Sequence, residues 1–214
     1  MTIARANNSI LKVISGGGMT PIKGTVELFG KTYPTIKING LEYLCENLDY
    51  KWQGLSIGYT DSSIPAALYQ NNDESTWGWE DRKCGLLYNY EAMSYLDDTI
   101  LSNSDWRVFT KDDFGSLLIS TKSYYECAPI LCENVEWASS VWNGTNDLGF
   151  NGKPCGAYID NHSENENTGI YLQIKTGVRD FAYRRYGHNE DYRLFTVGTY
   201  SGKWFTPIRL CRNT

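Results

Sequence analysis

The chain has 214 residues, of which 41% are hydrophobic and 21% are charged, and its formal net charge is −5. These values are typical of one soluble globular domain with a short appendage. The net negative charge and the lack of a Lys/Arg run argue against nucleic acid as a partner. No apolar run is long enough to predict a membrane-spanning helix, so membrane insertion is not expected.

Residues 1–25 differ in character from the rest of the chain. Residues 9–15 alternate weakly, as a short strand does, and the glycine run 16–18 indicates a flexible joint. We find no secretory signal, because the apolar stretch near the start is short and is interrupted by Lys12. We predict that residues 1–25 form an anchor or oligomerisation segment and that residues 26–214 form a domain. A disordered tail is the alternative.

The cysteine content leaves the redox state open. Six cysteines would allow three disulfides, but without an export signal we expect free thiols in a reducing cytoplasm. Cys127 and Cys132 are close enough in sequence to form a bridge if one exists.

The first strands are predicted from alternation and turn residues. Residues 26–30 and 33–38 indicate a β-hairpin with its turn at residues 30–31, and residues 42–47 continue the sheet. Residues 50–83 hold many turn formers and few periodic apolar residues, which favours a long loop.

The stretch 84–120 predicts two short helices separated by a polar turn. In the second helix, Thr110 stands at the N-cap and Asp113 at N3, an imperfect capping box. Phe109 and Phe114 occupy the positions of a hydrophobic staple. The first helix is predicted from an apolar stripe formed by Leu86, Leu87, Tyr90 and Met93.

The C-terminal half reads as strands and loops. Residues 127–142 predict a further β-strand. Residues 144–167 are rich in Asn, Asp and Gly and predict a long polar loop. Strands separated by tight turns are predicted at residues 169–176, 181–185, 193–197 and 205–211. We expect these strands to close the sheet beside the N-terminal strand.

Five segments resemble, in the same order, the sequence elements of the Fibrobacter succinogenes major paralogous domain. They are KINGLEYLCENLDY, GLLYNYEAM, DWRVFTKDDFGSLL, NDLGFNGKPCGAY and TPIRLCRN. The resemblance covers roughly residues 30–214. It departs at Val108-Phe109, where the family prefers Leu-Pro, and at Cys155, where the family prefers Gly.

The resemblance implies an α+β, C-type-lectin-like fold, with two short helices packed on a twisted antiparallel sheet and with long irregular loops. That fold is shared by phage receptor-binding tips, diversity-generating variable proteins and formylglycine-generating enzymes. Because one fold hosts such different activities, the resemblance does not by itself name a function.

Catalytic signals in the sequence are weak. Residues 54–58 match G-x-S-x-G, but the flanks of Ser56 lack the strand and helix that a hydrolase nucleophile elbow requires. His162 and His188 lie in polar turns, where a solvated side chain is the ordinary outcome. Cys155 and Cys211 do not evidently provide the reactive pair of a formylglycine-generating enzyme. We therefore predict no catalytic residue and no cofactor.

Acidic clusters in the loops offer oxygen ligands of the kind that calcium prefers. However, the signature of calcium-dependent sugar-binding lectins is missing, since Gly144 follows Trp142-Asn143. We predict solvated loop charge and no metal site.

Recognition is the remaining chemistry. Residues 179–192 concentrate aromatic and arginine side chains, which dominate binding hot spots. The candidate ligand-binding residues there are Tyr183, Arg184, Arg185, Tyr186, His188, Asn189 and Tyr192. A second candidate surface has Trp77 and Trp79 with Tyr69, whose rings would stack on sugars. Equally, half of the aromatic residues in 179–192 would pack on the sheet and the others form a subunit contact.

These observations lead to a hypothesis and two alternatives. We expect a non-enzymatic phage virion protein, a head or tail fibre or a decoration protein, which binds a host-surface glycan or protein. Residues 1–25 would bind other virion proteins, and by analogy a homo-oligomer is expected, a trimer before a dimer. One alternative is a bacterial cell-surface or secreted adhesin. The other, less favoured, is an enzyme of the formylglycine-generating type.

Overall fold

The structure is a computed structural model that describes residues 20–61, 63–69, 84–120, 131–132, 144–153, 155–164, 169–175, 179–185, 196–199 and 203–214. Within these residues the chain forms two short α-helices and three β-sheets. The predicted α+β class is therefore confirmed. The sheets are mostly antiparallel, but the strands are divided among three sheets where the sequence predicted one.

A five-stranded antiparallel sheet is built on the N-terminal hairpin. Its strands are β1 (Ile22–Leu28), β2 (Lys31–Ile38), β3 (Leu41–Leu44), β7 (Arg107–Val108) and β14 (Leu210–Asn213), in the order β1-β2-β3-β14-β7. The predicted hairpin is confirmed, although its turn lies at Phe29-Gly30, one residue earlier than predicted. Strand β1 crosses the predicted boundary between residues 25 and 26.

The strands of a six-stranded sheet lie between β3 and β14 in the sequence. Its strands are β4 (Ser56–Ile57), β5 (Ala66–Leu68), β6 (Leu87–Tyr88), β8 (Ala157–Ile159), β9 (His162–Glu164) and β13 (Trp204–Pro207). Their order is β4-β5-β6-β13-β8-β9, and only the β4–β5 pair is parallel. The predicted loops 50–83 and 144–167 thus each contribute a pair of short strands to this sheet.

The C-terminal strands do not close one sheet as predicted. Strands β10 (Gly169–Lys175), β11 (Arg179–Arg185) and β12 (Thr196–Thr199) form a sheet of their own. Strand β14 pairs with β3 and β7, while β1 lies at the opposite edge of the five-stranded sheet. The meander β1-β2-β3 leaves the outer edge of β3 open, so β14 pairs there. Most of the predicted strand 127–142 lies outside the described residues.

Helix α1 (Tyr90–Tyr95) is shorter than the apolar stripe suggested. Leu87 and Tyr88 belong to strand β6, so the prediction that Leu86 and Leu87 start a helix is wrong. Asn89 caps the helix, because its side chain accepts a hydrogen bond from the Ala92 amide. The helix then continues as a π-helical turn, Leu96–Ile100.

Helix α2 (Lys111–Ile119) begins where the sequence placed it. The Thr110 hydroxyl accepts a hydrogen bond from the Asp113 amide, and the Asp113 carboxylate accepts one from the Thr110 amide, so the capping box is complete. Phe109 and Phe114 are both buried in one cluster under this helix. The predicted N-terminus is therefore confirmed in detail.

The five-stranded sheet separates two apolar clusters, since alternate residues of a strand face opposite sides. In β2, Ile36 enters the cluster under α2, whereas Tyr33 enters the cluster that contains Trp52 and α1. The sheet is thus covered on both faces over much of its area.

A buried polar network joins the sheets. Arg209, only 1% exposed, lies between β13 and β14. Its guanidinium donates to Asn47 Oδ1 at 2.7 Å and to the carbonyl oxygens of Phe150 and Asn151. The Asn47 side-chain amide in turn donates to the carbonyl of Cys84 at 2.9 Å. Four distant parts of the chain therefore meet at these two side chains.

Cys84 and Cys155 form a disulfide beside this network, so the expectation of free thiols is wrong for this pair. The bridge spans a sequence separation of 71 residues and ties the start of β6 to the start of β8. Cys45 and Cys211 are buried free thiols. Cys127, one half of the bridge that the sequence suggested, lies outside the described residues.

Glu42 carries a buried carboxylate within the five-stranded sheet. It is 2% exposed, accepts two hydrogen bonds from the Arg212 guanidinium and accepts a third from the Thr35 hydroxyl at 2.7 Å. Burial alone would raise the pKa of Glu42, but these hydrogen bonds and the charges of Arg212 and Lys37 outweigh it and lower the pKa. The ionised form is therefore favoured in the folded protein.

We predict that replacing both bridged cysteines, Cys84→Ser with Cys155→Ser, lowers the free energy of unfolding by about 4 kcal/mol, because the cross-link no longer restricts the unfolded chain. Urea titration followed by tryptophan fluorescence measures the change. Reductant should destabilise the wild-type protein and leave the double variant unaffected. Equal urea midpoints for the oxidised and reduced wild type would show that the bridge does not contribute.

We predict that Glu42→Gln destabilises the protein at neutral pH by about 2 kcal/mol, because a buried charged hydrogen-bond acceptor is lost. Since the folded-state pKa of Glu42 is lowered, its contribution is present above the ordinary glutamate pKa of about 4.3 and disappears as the pH falls through the folded-state value. The difference in the free energy of unfolding between the variant and the wild type should therefore disappear as the pH falls. As a control, Asp105→Asn, a change at an exposed carboxylate, should alter the free energy of unfolding little at either pH. A stability difference between Glu42→Gln and the wild type that did not change with pH would contradict the role assigned to Glu42.

Candidate binding surface

The structure places the predicted recognition residues only in part. Tyr183, Arg184 and Arg185 lie on strand β11, paired in register with Tyr171, Ile170 and Gly169 of β10, and not in a turn. The other predicted binding residues lie outside the described residues; they are Tyr186, His188, Asn189, Tyr192, Trp77 and Trp79. Tyr69 is buried, and its hydroxyl accepts a hydrogen bond from the Lys51 ammonium at 2.7 Å.

Four aromatic rings in consecutive contact form a surface that the sequence did not single out. We call Phe29, Tyr50, Trp52 and Tyr95 the aromatic surface. Phe29 stacks on Tyr50 with ring centroids 4.0 Å apart, Tyr50 is 6.0 Å from Trp52, and Trp52 is 6.1 Å from Tyr95. Tyr95 is 41% exposed, and Phe29 and Tyr50 are half-buried. Trp52 is buried, so the apolar ring area that faces the solvent belongs to Tyr95 and to parts of Phe29 and Tyr50.

The aromatic surface is held from beneath. Trp52 is almost parallel to the buried ring of Tyr88, at 5.9 Å and an interplanar angle of 2°. The Tyr88 hydroxyl donates to the carbonyl of Tyr50 at 2.9 Å, and burial raises its pKa well above the ordinary value, so it stays a donor. Because Tyr88 lies on β6 and Tyr95 ends α1, the six-stranded sheet and the helix fix the positions of these rings.

Phe29 occupies an unusual backbone position. It is the first residue of the two-residue turn between β1 and β2, with φ of 55°, and Gly30 follows with φ of 76°. Such turns favour Asn, Asp or Gly, and a left-handed conformation costs an ordinary residue about 1–2 kcal/mol. The stacking of Phe29 on Tyr50 compensates part of that cost. An aromatic residue kept where the backbone disfavours it marks the turn as a candidate for function.

Charged groups border the aromatic surface. The Lys31 ammonium lies 2.7 Å from the Asp49 carboxylate and 3.4 Å from that of Glu46. The Tyr33 hydroxyl donates to the second oxygen of Asp49 at 2.5 Å. Lys31 follows the turn that carries Phe29, and Asp49 precedes Tyr50. Ring faces beside carboxylate and ammonium groups are suited to a ligand with both apolar and hydroxyl-bearing sides.

Sequence reasoning missed this surface because its residues come from three separate segments of the chain. The spacing of Tyr50 and Trp52, with one residue between them, was a local signal that both rings would point to one side of an extended segment. An aromatic residue directly before the turn glycine was a second signal. Neither pattern shows that the two segments meet, nor that Tyr95 joins them.

Among the described residues, the weak catalytic signals do not assemble into a site. Ser56 lies in strand β4, where its amide donates to the carbonyl of Pro65 at 3.1 Å, and the next described element is strand β5, so the nucleophile elbow is not formed. Cys155 is consumed by the disulfide, and burial raises the pKa of the Cys211 thiol. His162 is exposed on β9, and His188 lies outside the described residues.

The described part of the chain offers neither a cluster of metal ligands nor a membrane-spanning helix. No group of three or more His, Cys, Asp or Glu side chains is arranged there to hold a metal ion. None of the helices within the described ranges is long and apolar enough to cross a membrane.

Comparison with known proteins adds no relative. No protein-family model, no curated protein and no solved structure matches this chain.

Proposed function

We propose that this chain is a non-enzymatic phage virion protein, a head or tail fibre or a decoration protein. In this proposal a C-type-lectin-like domain binds a host-surface glycan or protein through the aromatic surface. Residues 1–25 attach it to other virion proteins. The observation that carries the proposal is the row of contacting rings, partly exposed at Phe29, Tyr50 and Tyr95 and bordered by Lys31, Asp49 and Glu46.

The lectin-like assignment is supported by how the five resembling segments meet. Asn47 of the first contacts Arg209 of the fifth, which contacts Phe150 of the fourth. In the third segment, the ring of Trp106 lies 4.8 Å from the Arg212 guanidinium. Leu86 of the second donates its amide hydrogen to the carbonyl of Leu48 at 3.1 Å. Segments that resemble one family are thus in mutual contact in the folded chain.

A glycan is the ligand that the aromatic surface suits best. Sugar rings present C–H groups on their faces and hydroxyls at their edges, so they stack on aromatic rings while carboxylates accept from the hydroxyls. Exposed Tyr95 provides the most accessible ring, and Asp49 provides carboxylate oxygens at the border. Because Trp52 and Tyr88 hold the rings in place, little order has to be gained on binding.

We predict that Tyr95→Ala weakens glycan binding by about tenfold, because the most exposed ring of the aromatic surface is lost. The labelled full-length protein is tested on an array of bacterial surface glycans, and affinities for the glycans that bind are then measured by calorimetry. Tyr59→Ala is the matched control, since Tyr59 is 63% exposed and is not part of the aromatic surface. Circular dichroism confirms that both variants are folded.

Unchanged glycan affinity in the Tyr95→Ala protein would remove the aromatic surface as the binding site. Binding to intact bacteria with no binding on the array would point to a protein receptor. Failure to bind either would contradict the recognition function.

The disulfide favours a second candidate function, the bacterial surface or secreted adhesin, because disulfides persist in oxidising surroundings. Fractionation distinguishes the two. A virion protein co-purifies with phage particles in a density gradient and is identified there by mass spectrometry, whereas an adhesin is found in the cell envelope or the medium of uninfected cells.

A further inference from the structure

Strand β1 is an open edge in the described part of the chain. It is the outermost strand of the five-stranded sheet, and all seven of its residues pair with β2 on its inner side. Its first four residues, 22–25, are exposed, with Ile22 68% exposed. An extended edge of this kind offers unpaired backbone groups to another strand.

The turn and the register fix which backbone groups point outward. In a two-residue hairpin turn of this type, the flanking Leu28 and Lys31 form a hydrogen-bonded pair, and such pairs then alternate along the ladder. Thr25 faces Pro34, which has no amide hydrogen and whose carbonyl accepts from Cys45 on the other side, at 2.9 Å. The backbone groups of Thr25 therefore point to the open edge.

By the same alternation, Lys23 and Glu27 also direct their amide and carbonyl groups outward. Both side chains are exposed and lie with Thr25 on one face of the strand. The Glu27 carboxylate accepts a hydrogen bond from Thr32 of the neighbouring strand. The open edge thus carries one positive and one negative side chain, placed symmetrically about Thr25.

We infer that β1 is a homodimer contact, in which β1 of a second copy of this chain pairs with it antiparallel about a two-fold axis at Thr25. This register places Lys23 opposite Glu27 of the second copy, and it does so twice. It also places Ile22 opposite Leu28 of the second copy, twice. The five-stranded sheets of the two copies then become one continuous sheet.

Charge selects this register over its neighbours. In an antiparallel pair, two residues that lie opposite each other point their side chains to the same side of the sheet. A two-fold axis perpendicular to the sheet must therefore lie at a residue that is opposite the same residue of the second copy. An axis at Lys23 would oppose two lysines, and an axis at Glu27 would oppose two glutamates. With the axis at Gly24 or at Val26, neither Lys23 nor Glu27 lies across from a side chain of opposite charge. Only the axis at Thr25 pairs both charges and uses the full length of the strand.

This contact is independent of the proposed ligand and differs from the trimer expected by analogy, since a two-fold edge contact closes as a dimer. Sedimentation velocity of the full-length protein over a wide concentration range tests it. We expect a concentration-dependent dimer of the wild-type protein. Lys23→Glu and Glu27→Lys should each weaken the dimer by about tenfold or more, because two attractive pairs become repulsive.

The combined variant, Lys23→Glu with Glu27→Lys, restores opposite charges and should restore the dimer. Lys111→Glu, an equal change of charge at an exposed position on α2, should leave the dimer intact. Thr25→Pro removes one outward amide and should also weaken the dimer. A wild-type monomer at every concentration, a trimer, or failure of the combined variant to recover would overturn the inference.

Discussion

The fold depends on the contact between Arg209 and Asn47, because it lies where the chain passes from the six-stranded to the five-stranded sheet. A buried guanidinium is costly unless its donors are satisfied, and here Asn47, Phe150 and Asn151 all accept from it. The guanidinium carbon also lies over the Phe150 ring, 4.4 Å from its centroid. Beside it, the amide of Leu48 donates to the carbonyl of Ile208 at 2.8 Å. Strands β13 and β14 can belong to different sheets because the buried polar groups at the junction between them are mostly hydrogen-bonded.

The same junction positions the aromatic surface. The chain leaves the junction at Leu48 and continues directly into Asp49, Tyr50 and Trp52, so their location is set by the anchor at Asn47. Opposite them, the disulfide at Cys84 fixes the start of the segment that leads through β6 to Tyr95. The proposed binding surface lies on short loops and a helix end, and it is thus supported by a covalent bond and a buried network, which would reduce the ordering cost of recognition.

Two surfaces with different chemistry follow from this arrangement. The aromatic surface combines ring faces with carboxylates, which suits a sugar. The β1 edge combines unpaired backbone groups with a symmetric pair of opposite charges, which suits a second copy of the same strand. They meet at the Phe29-Gly30 turn, where the hairpin that ends β1 also contributes the first ring of the aromatic surface.

The sequence alone determined the features that depend on residues close together in the chain. The hairpin β1–β2 and the start of helix α2 could be predicted because turn residues, Thr110 and Asp113 act within a few positions of each other. The limits of α1 could not, since Leu87 fits a helical stripe as well as a strand and pairs with β13 only in the folded chain. Only the tertiary structure decided the pairing of Cys84 with Cys155, the division of strands among three sheets, and the meeting of Phe29, Tyr50 and Tyr95. These depend on contacts between distant residues, which no local periodicity records.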